Sequence, residues 1–326
     1  MSQHLSVSRR GVLKACLGAA WFGPIEGKSR VVISRDPSLR AAGATPDSRR
    51  VLNLLDRAMQ AFFDSDSPVE AWKQVVRPGE VVGLKVNCLA GRGTASTSVH
   101  LVEAVCERLQ QAGVSREHIV IWDRLASDLE SGGFHPGFGS GSHGERIRCV
   151  GNDDAGYEDT LAVFGSAGSL VSKTLTRTCD AVINMPVLKD HGIAGVTMAL
   201  KNFFGAIHNP NKYHGNVGAP YVADVYMLSP IRQKVSLTIC DAVTAQYDGG
   251  PSFMPQWSWP FNGLIVARDP VALDYIGWQI IEAKRAEKRL PSLRALKREP
   301  VWIATAADAR HRLGTNDPKR IERVEV

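Results

Sequence analysis

Residues 80–123 read EVVGLKVNCLAGRGTASTSVHLVEAVCERLQQAGVSREHIVIWD, and their pattern decides the fold. After a Pro78-Gly79 turn, Glu80 to Asn87 is an apolar run of strand length. A Gly-containing loop, Ala90 to Ser96, leads into a helical period over about 97–112, with Val99, Val102, Cys106 and Leu109 on one side and Gly113 ending it. Ile119 to Trp122 is the next apolar run, finishing at Asp123. Strand, loop, helix and strand at this spacing predict an α/β fold: a mostly parallel sheet with crossover helices. Such sheets bind ligands in a crevice at the strand carboxyl ends, where Lys85, Asn87 and Asp123 fall.

The same grammar extends outward. Residues 31–34 (VVIS), 147–150, 179–184, 234–240 and 264–267 read as strands, with Asn184 and Asp241 at two further ends, and the tail 321–326 reads as another. Residues 47–63 and 222–231 read as helices. Asp269-Pro270 opens a long helix, with Asp269 as N-cap and Pro at the first helical position. The glycine-rich stretch 132–144 is expected to be a surface loop or a lid over the crevice. No Ser- or Pro-rich linker divides residues 29–326, so one domain is expected.

Polar chemistry is densest in residues 179–214, CDAVINMPVLKDHGIAGVTMALKNFFGAIHNPNKYH. A strand ends at Asn184, a loop carries Lys189, Asp190 and His191, and a helix closed by Gly205 is expected to present Lys201 and Asn202. The exit loop carries His208, Lys212 and His214. Burial in the apolar setting MALKNFFG would lower the Lys201 pKa and make the amine a usable base or nucleophile. Proton transfer near neutral pH falls to His191, with Lys201 and Asp123. Lys85, Lys189, Lys201 and Lys212, with Asn87 and Asn202 as amide donors, would hold a carboxylate or phosphate, and Asn184 and Asp241 complete the substrate-binding candidates, Asp241 as a base, ligand or counter-charge. His208 and His214 are candidate metal ligands, but two histidines need a third donor.

The chain has 326 residues, 44% hydrophobic and 22% charged, with a net charge of +6, as expected of a globular protein. No basic stripe with interleaved aromatics marks a nucleic-acid partner. No apolar run reaches the roughly 18–20 residues that span a bilayer. Residues 1–28 begin with Ser8-Arg9-Arg10-Gly11-Val12-Leu13-Lys14 and a short apolar run, the pattern of a twin-arginine export signal. It implies the twin-arginine machinery as a partner and a periplasmic or otherwise exported protein. Outside that leader five cysteines remain, without a CxxC pair, so no iron–sulfur cluster is expected in this chain. They read as small buried hydrophobes.

Three pieces carry a resemblance: VGLKVN at 82–87, DAVINMPVLKDHGIAGVTMALKNFFG at 180–205, and NGLIVARDPVALD at 262–274. Together they resemble the bacterial and archaeal domain of unknown function 362 family, whose activity is mostly unassigned. Many members carry an added ferredoxin module that this chain lacks. A shorter likeness, over about 35 residues, is to the nickel-pincer lactate racemases. His191, Ala194-Gly195, Lys201 and His214 follow a strand in that family's order. The likeness implies a cofactor-anchoring role for Lys201, a nickel-ligating role for His214 and a proton-transfer role for His191. The second histidine base of that family is replaced by Asp123-Arg124.

The expectation is therefore an exported α/β enzyme moving a proton on a small anionic, carboxylate-like molecule. Nickel or zinc is a candidate cofactor. The competing expectation is a non-catalytic periplasmic protein that holds a ligand or metal in the same crevice.

Overall fold

A computed structural model of the chain describes residues 27–40, 43–90, 95–135, 138 and 146–326. The expected export leader, up to residue 26, and most of the expected lid at 132–144 lie outside these residues. In chain order the strands are β1 (Ser29–Arg35), β2 (Val82–Lys85), β3 (Ile119–Asp123), β4 (Arg148–Gly151), β5 (Ala162–Phe164), β6 (Ala167–Ser169), β7 (Ala181–Asn184), β8 (Val187–His191), β9 (Gly195–Thr197), β10 (Val235–Gln246), β11 (Ser258–Trp259), β12 (Gly263–Ala267) and β13 (Ile321–Glu325). The α-helices are α1 (Ser48–Phe63), α2 (Pro68–Lys73), α3 (Val99–Gln111), α4 (Ala126–Gly132), α5 (Asn152–Ala155), α6 (Tyr221–Tyr226), α7 (Ser229–Arg232), α8 (Pro270–Glu287) and α9 (Trp302–Ala307).

The main sheet runs β13-β1-β12-β10-β7-β2-β3-β4. Its centre is the expected parallel array: β10, β7, β2, β3 and β4 all point one way. At one side β12 lies antiparallel between β1 and β10, and β13 joins β1 in parallel. Strand periodicity sorts the side chains. Val82, Leu84, Ile119 and Ile121 face α1, α2 and α3 through Val51, Leu54, Trp72, Val102 and Leu109. Val120, Trp122 and Val182 enter the opposite core with Val222, Val271, Leu273 and Trp302. The predicted Asp269 cap forms, accepting from the amides of Val271 and Ala272, and Asp47 caps α1 by accepting from the Arg50 amide.

Two expected helices do not form as drawn. Residues 187–197 make an antiparallel hairpin, β8 with β9, and Lys201–Ala206 is a 3-10 turn. Two amides that a helix would have used, those of Ala199 and Leu200, donate instead to the Asp274 carboxylate at 2.7 and 3.0 Å. Gly195 sits at φ +80°, and a Cβ there would lie 2.2 Å from the Arg298 carbonyl. The predicted helix at 222–231 breaks into α6 and α7, with Pro230 on the first turn of α7, where its missing N–H costs nothing.

The registers place Lys85 opposite Trp122 on one side and Asn184 on the other, so the ends of β2, β3 and β7 lie level. Four of the five cysteines outside the leader are buried, as expected of small hydrophobes. No helix among the described residues is long and apolar enough to cross a membrane.

Candidate active site at the carboxyl edge of the sheet

Beyond those level strand ends lies a cavity of about 440 Å³. Strand ends supply Lys85, Asn87 and Asp123. The β8–β9 hairpin supplies Lys189, His191 and Thr197, and the following turns supply Lys201, Asn202, Phe204 and His214. The stretch 179–214 thus builds one wall, and the strand pair that bounds 80–123 builds the other.

An ion pair seals the floor. Lys85 Nζ donates to Asp123 Oδ1 at 2.7 Å and to the Val86 carbonyl at 2.7 Å, with the lysine 1% exposed. Asp123 also accepts from the amides of Arg124 and Cys88, at 2.8 and 2.7 Å. Three donors, the Lys85 ammonium and two amides, hold Asp123 as counter-ion and loop anchor, which disfavours the expected role of free base. Above it an amide ladder fixes the turn. Asn202 Nδ2 donates to Asn184 Oδ1 at 2.8 Å and its Oδ1 accepts from Asn87 Nδ2 at 3.0 Å. Asn184 Nδ2 reaches the Ala199 carbonyl at 2.9 Å, so Asn184 supports the wall rather than lining it. Gly205 makes the close approach: a Cβ there would lie 2.9 Å from both Asp123 Oδ1 and Lys85 Nζ.

The reactive groups lie higher. Lys201 Nζ is 3.1 Å from His214 Nε2 and 4.3 Å from the centre of the Phe204 ring. His214 Nδ1 is 3.1 Å from the Pro210 carbonyl, which only accepts, so Nδ1 carries the proton and Nε2 presents a lone pair to the lysine. Burial, with Lys189 nearby, lowers the Lys201 pKa to about 7. Burial likewise lowers Lys189 to about 8, opposed mainly by Asp123, while its Nζ donates to the Ala95 carbonyl at 2.7 Å. Neither lysine forms an ion pair with a carboxylate among the described residues.

His191 differs from the expectation. Its Nδ1 accepts from the amides of Ile193 and Ala194, at 3.2 and 3.1 Å, so the proton resides on Nε2. Burial, then the charge of Lys201, lowers its pKa to about 2, which keeps the ring neutral. It stacks on His214 with centroids 5.3 Å apart. A neutral ring with its proton on Nε2 is set to donate to an oxygen in the cavity rather than to take a proton, which disfavours the expected base role of His191. Asn87 Oδ1 is buried without a donor among the described residues, although its side chain lines the cavity.

Three predicted residues are not brought in. His208 is exposed, its ring edge-on to Tyr157 at 5.4 Å, and does not converge with His214 as a metal pair. Lys212 is exposed, because the turn Pro210–Tyr213 carries it outward. Asp241 lies in a second cavity beside Arg40, where it accepts from the amides of Ser98 and Val243 at 2.7 and 2.9 Å. Strand β10 continues to Gln246, so Asp241 is not at a strand end. Among the described residues no group of three His, Cys, Asp or Glu is placed to hold a metal ion. His214 lines the cavity with Asp123 and Asp128, but these do not converge as a ligand set of three for nickel or zinc.

Several lining residues escaped sequence reasoning. Asp128, on the first turns of α4, carries no motif, and position just past a strand end was its available signal; Phe204 lay in MALKNFFG but was read only as apolar surroundings of Lys201. Asp274 holds the chain before Lys201 from below, and burial raises its pKa against the two amides that favour its charge.

A family model described as domain of unknown function (DUF362) matches residues 82–279. No curated protein matches the chain. A crystal structure of a protein from Thermotoga maritima is similar at TM-score 0.40 and 9% identity, over 76% of this chain and 60% of that one. The chain thus spans less than two thirds of that protein's length, and a likeness of this size carries no functional argument.

Proposed function

This chain belongs to the DUF362 family, and we propose that it is an exported enzyme that moves a proton on a small carboxylate-bearing molecule. The observation that carries the reading is the Lys201–His214 pair: a buried amine 3.1 Å from an imidazole nitrogen that carries no proton. A pair of this kind holds a proton at either nitrogen near neutral pH. Lys189 and Arg124, both on the cavity wall, supply charge for a carboxylate. His191 Nε2–H donates to an oxygen on which negative charge develops. Asn87 Oδ1 accepts from a hydroxyl on the substrate. With Lys201 as base, its free amine fraction rises through pH 7, and the rate rises with it. Export rests on the Arg9-Arg10 leader.

The test is exchange. Small 2-hydroxy and 2-oxo acids are incubated with the protein in D2O and followed by proton NMR. Protein-dependent loss of the signal at the carbon beside the carboxylate supports the reading, and Lys201→Met should abolish it. Saturable binding of these acids with no exchange at any pH from 6 to 9 favours the non-catalytic ligand-binding alternative instead.

A further inference from the structure

The three lysines on the cavity wall have different partners, and the difference points to covalent chemistry. Lys85 is neutralised by Asp123 at 2.7 Å. Lys189 donates to the Ala95 carbonyl at 2.7 Å. Lys201 faces an imidazole nitrogen that carries no proton, with the Phe204 ring across from it, and no carboxylate pairs with it among the described residues. An amine in that setting has a proton acceptor in contact and no anion to hold it charged. We propose that Lys201 is a nucleophile that forms a Schiff base with a small oxo acid, a molecule with a carbonyl carbon beside or near its carboxylate. The proposal rests on the reading of the cavity as a carboxylate site and names the substrate class for it.

The step balances within the cavity. The Lys201 nitrogen attacks the carbonyl carbon, a C–N bond forms, and the C=O π electrons move to oxygen. His191 Nε2–H donates to that oxygen. The first proton released from nitrogen passes through His214 Nε2, 3.1 Å away, to the oxygen and makes the carbinolamine hydroxyl, and the second nitrogen proton follows the same route onto that hydroxyl, while His191 keeps its own proton. The C–O bond then breaks, water leaves, and the imine remains: one carbonyl and one amine give one imine and one water. No oxidant, reductant or metal is consumed. Burial that holds the amine near pKa 7 keeps a large fraction nucleophilic at neutral pH. Once formed, the imine withdraws electrons from the neighbouring carbon, which makes its proton removable.

The full-length protein is incubated with pyruvate or glyoxylate at pH 7.5, reduced with borohydride, and measured by intact mass and peptide mapping. The expected result is one added group per chain, equal to the free oxo acid less one oxygen atom, on the peptide that carries Lys201. Acetone, which lacks the carboxylate, should label about tenfold less, the consequence of losing one charge contact. Lys212→Met should label as the wild type does, and Lys201→Met should not label. Wild-type mapping stands alone if Lys201→Met does not fold. Labelling spread over surface lysines, or none at Lys201, overturns the proposal. So does a group already attached to Lys201 in the purified protein, because the amine would not be free. Deuterium exchange without trapping overturns the Schiff base alone and leaves acid–base action standing. Trapping at Lys201 without exchange supports the Schiff base and sinks the proton-transfer reading. Failure of both sinks both.

Discussion

Lys201 is buried with no carboxylate partner among the described residues, and burial of an ammonium costs free energy that an apolar side chain would not incur. The cost has a defined pH course. Folding lowers the pKa from the ordinary 10.5 to about 7. Between those values the unfolded chain binds more protons than the folded one, so this group makes stability rise with pH from about 7 to about 10. Lys201→Met removes the penalty. Urea unfolding should find the variant more stable than wild type at pH 6.5, by roughly 1–3 kcal/mol, with a narrower gap at pH 9.5. Equal pH slopes in the two proteins would argue that the amine stays charged. The type and place of Lys201 were legible in MALKNFFG, because a lysine among apolar neighbours is unusual. The tautomer of His191 was not, because it depends on the Ile193 and Ala194 amides that the β8–β9 hairpin turn aims at Nδ1.

At the scale of elements, the turn Lys201–Ala206 is held from two sides. From below, Asp274 on α8 accepts the Ala199 and Leu200 amides. Asp274→Ala leaves two buried N–H groups without acceptors and should lower stability by roughly 2–4 kcal/mol. It should also slow deuterium exchange, because Lys201 loses its register. A variant that unfolds as wild type does would show that the amides find other acceptors. From the side, Gly205 touches the Lys85–Asp123 pair. Gly205→Ala places a methyl 2.9 Å from both partners and should cost about 1–3 kcal/mol, read by calorimetry as a lower Tm. The α8 cap was legible from Asp269-Pro270, since a cap is a local signal. The turn at 201–206 was not. Its apolar run reads equally as a buried helix, and the amides of Ala199 and Leu200 go instead to Asp274, some 75 residues away in sequence.

For the whole molecule, the parallel centre of the sheet collects chemistry from distant segments at one edge. Lys85, Asn87, Asp123, Lys189, His191, Lys201, Asn202 and His214 line one cavity; the first three were legible from their places at strand ends, the others from the polar density of residues 179–214. The antiparallel border formed by β12 and β1 was not legible, because strand direction at an edge leaves no local mark. A cationic cavity of this kind predicts stabilisation by its ligand. A small carboxylate at 100 times its Kd should raise stability by about 2.7 kcal/mol, seen as a concentration-dependent rise in Tm. The rise should shrink in Lys189→Met, and its absence with every carboxylate tested would remove the anion site. Replacing Arg9 and Arg10 by lysine should hold the protein in the cytoplasm in fractionation, and unchanged export would remove the twin-arginine reading.

The claim on which proton transfer and imine chemistry both depend is that the Lys201 amine is free near neutrality. NMR titration of the protein carrying 13C-labelled lysine, with the Lys201 signal assigned by its loss in Lys201→Arg, measures this directly. The account predicts a midpoint near 7 for Lys201. A midpoint near the ordinary 10.5 would contradict it.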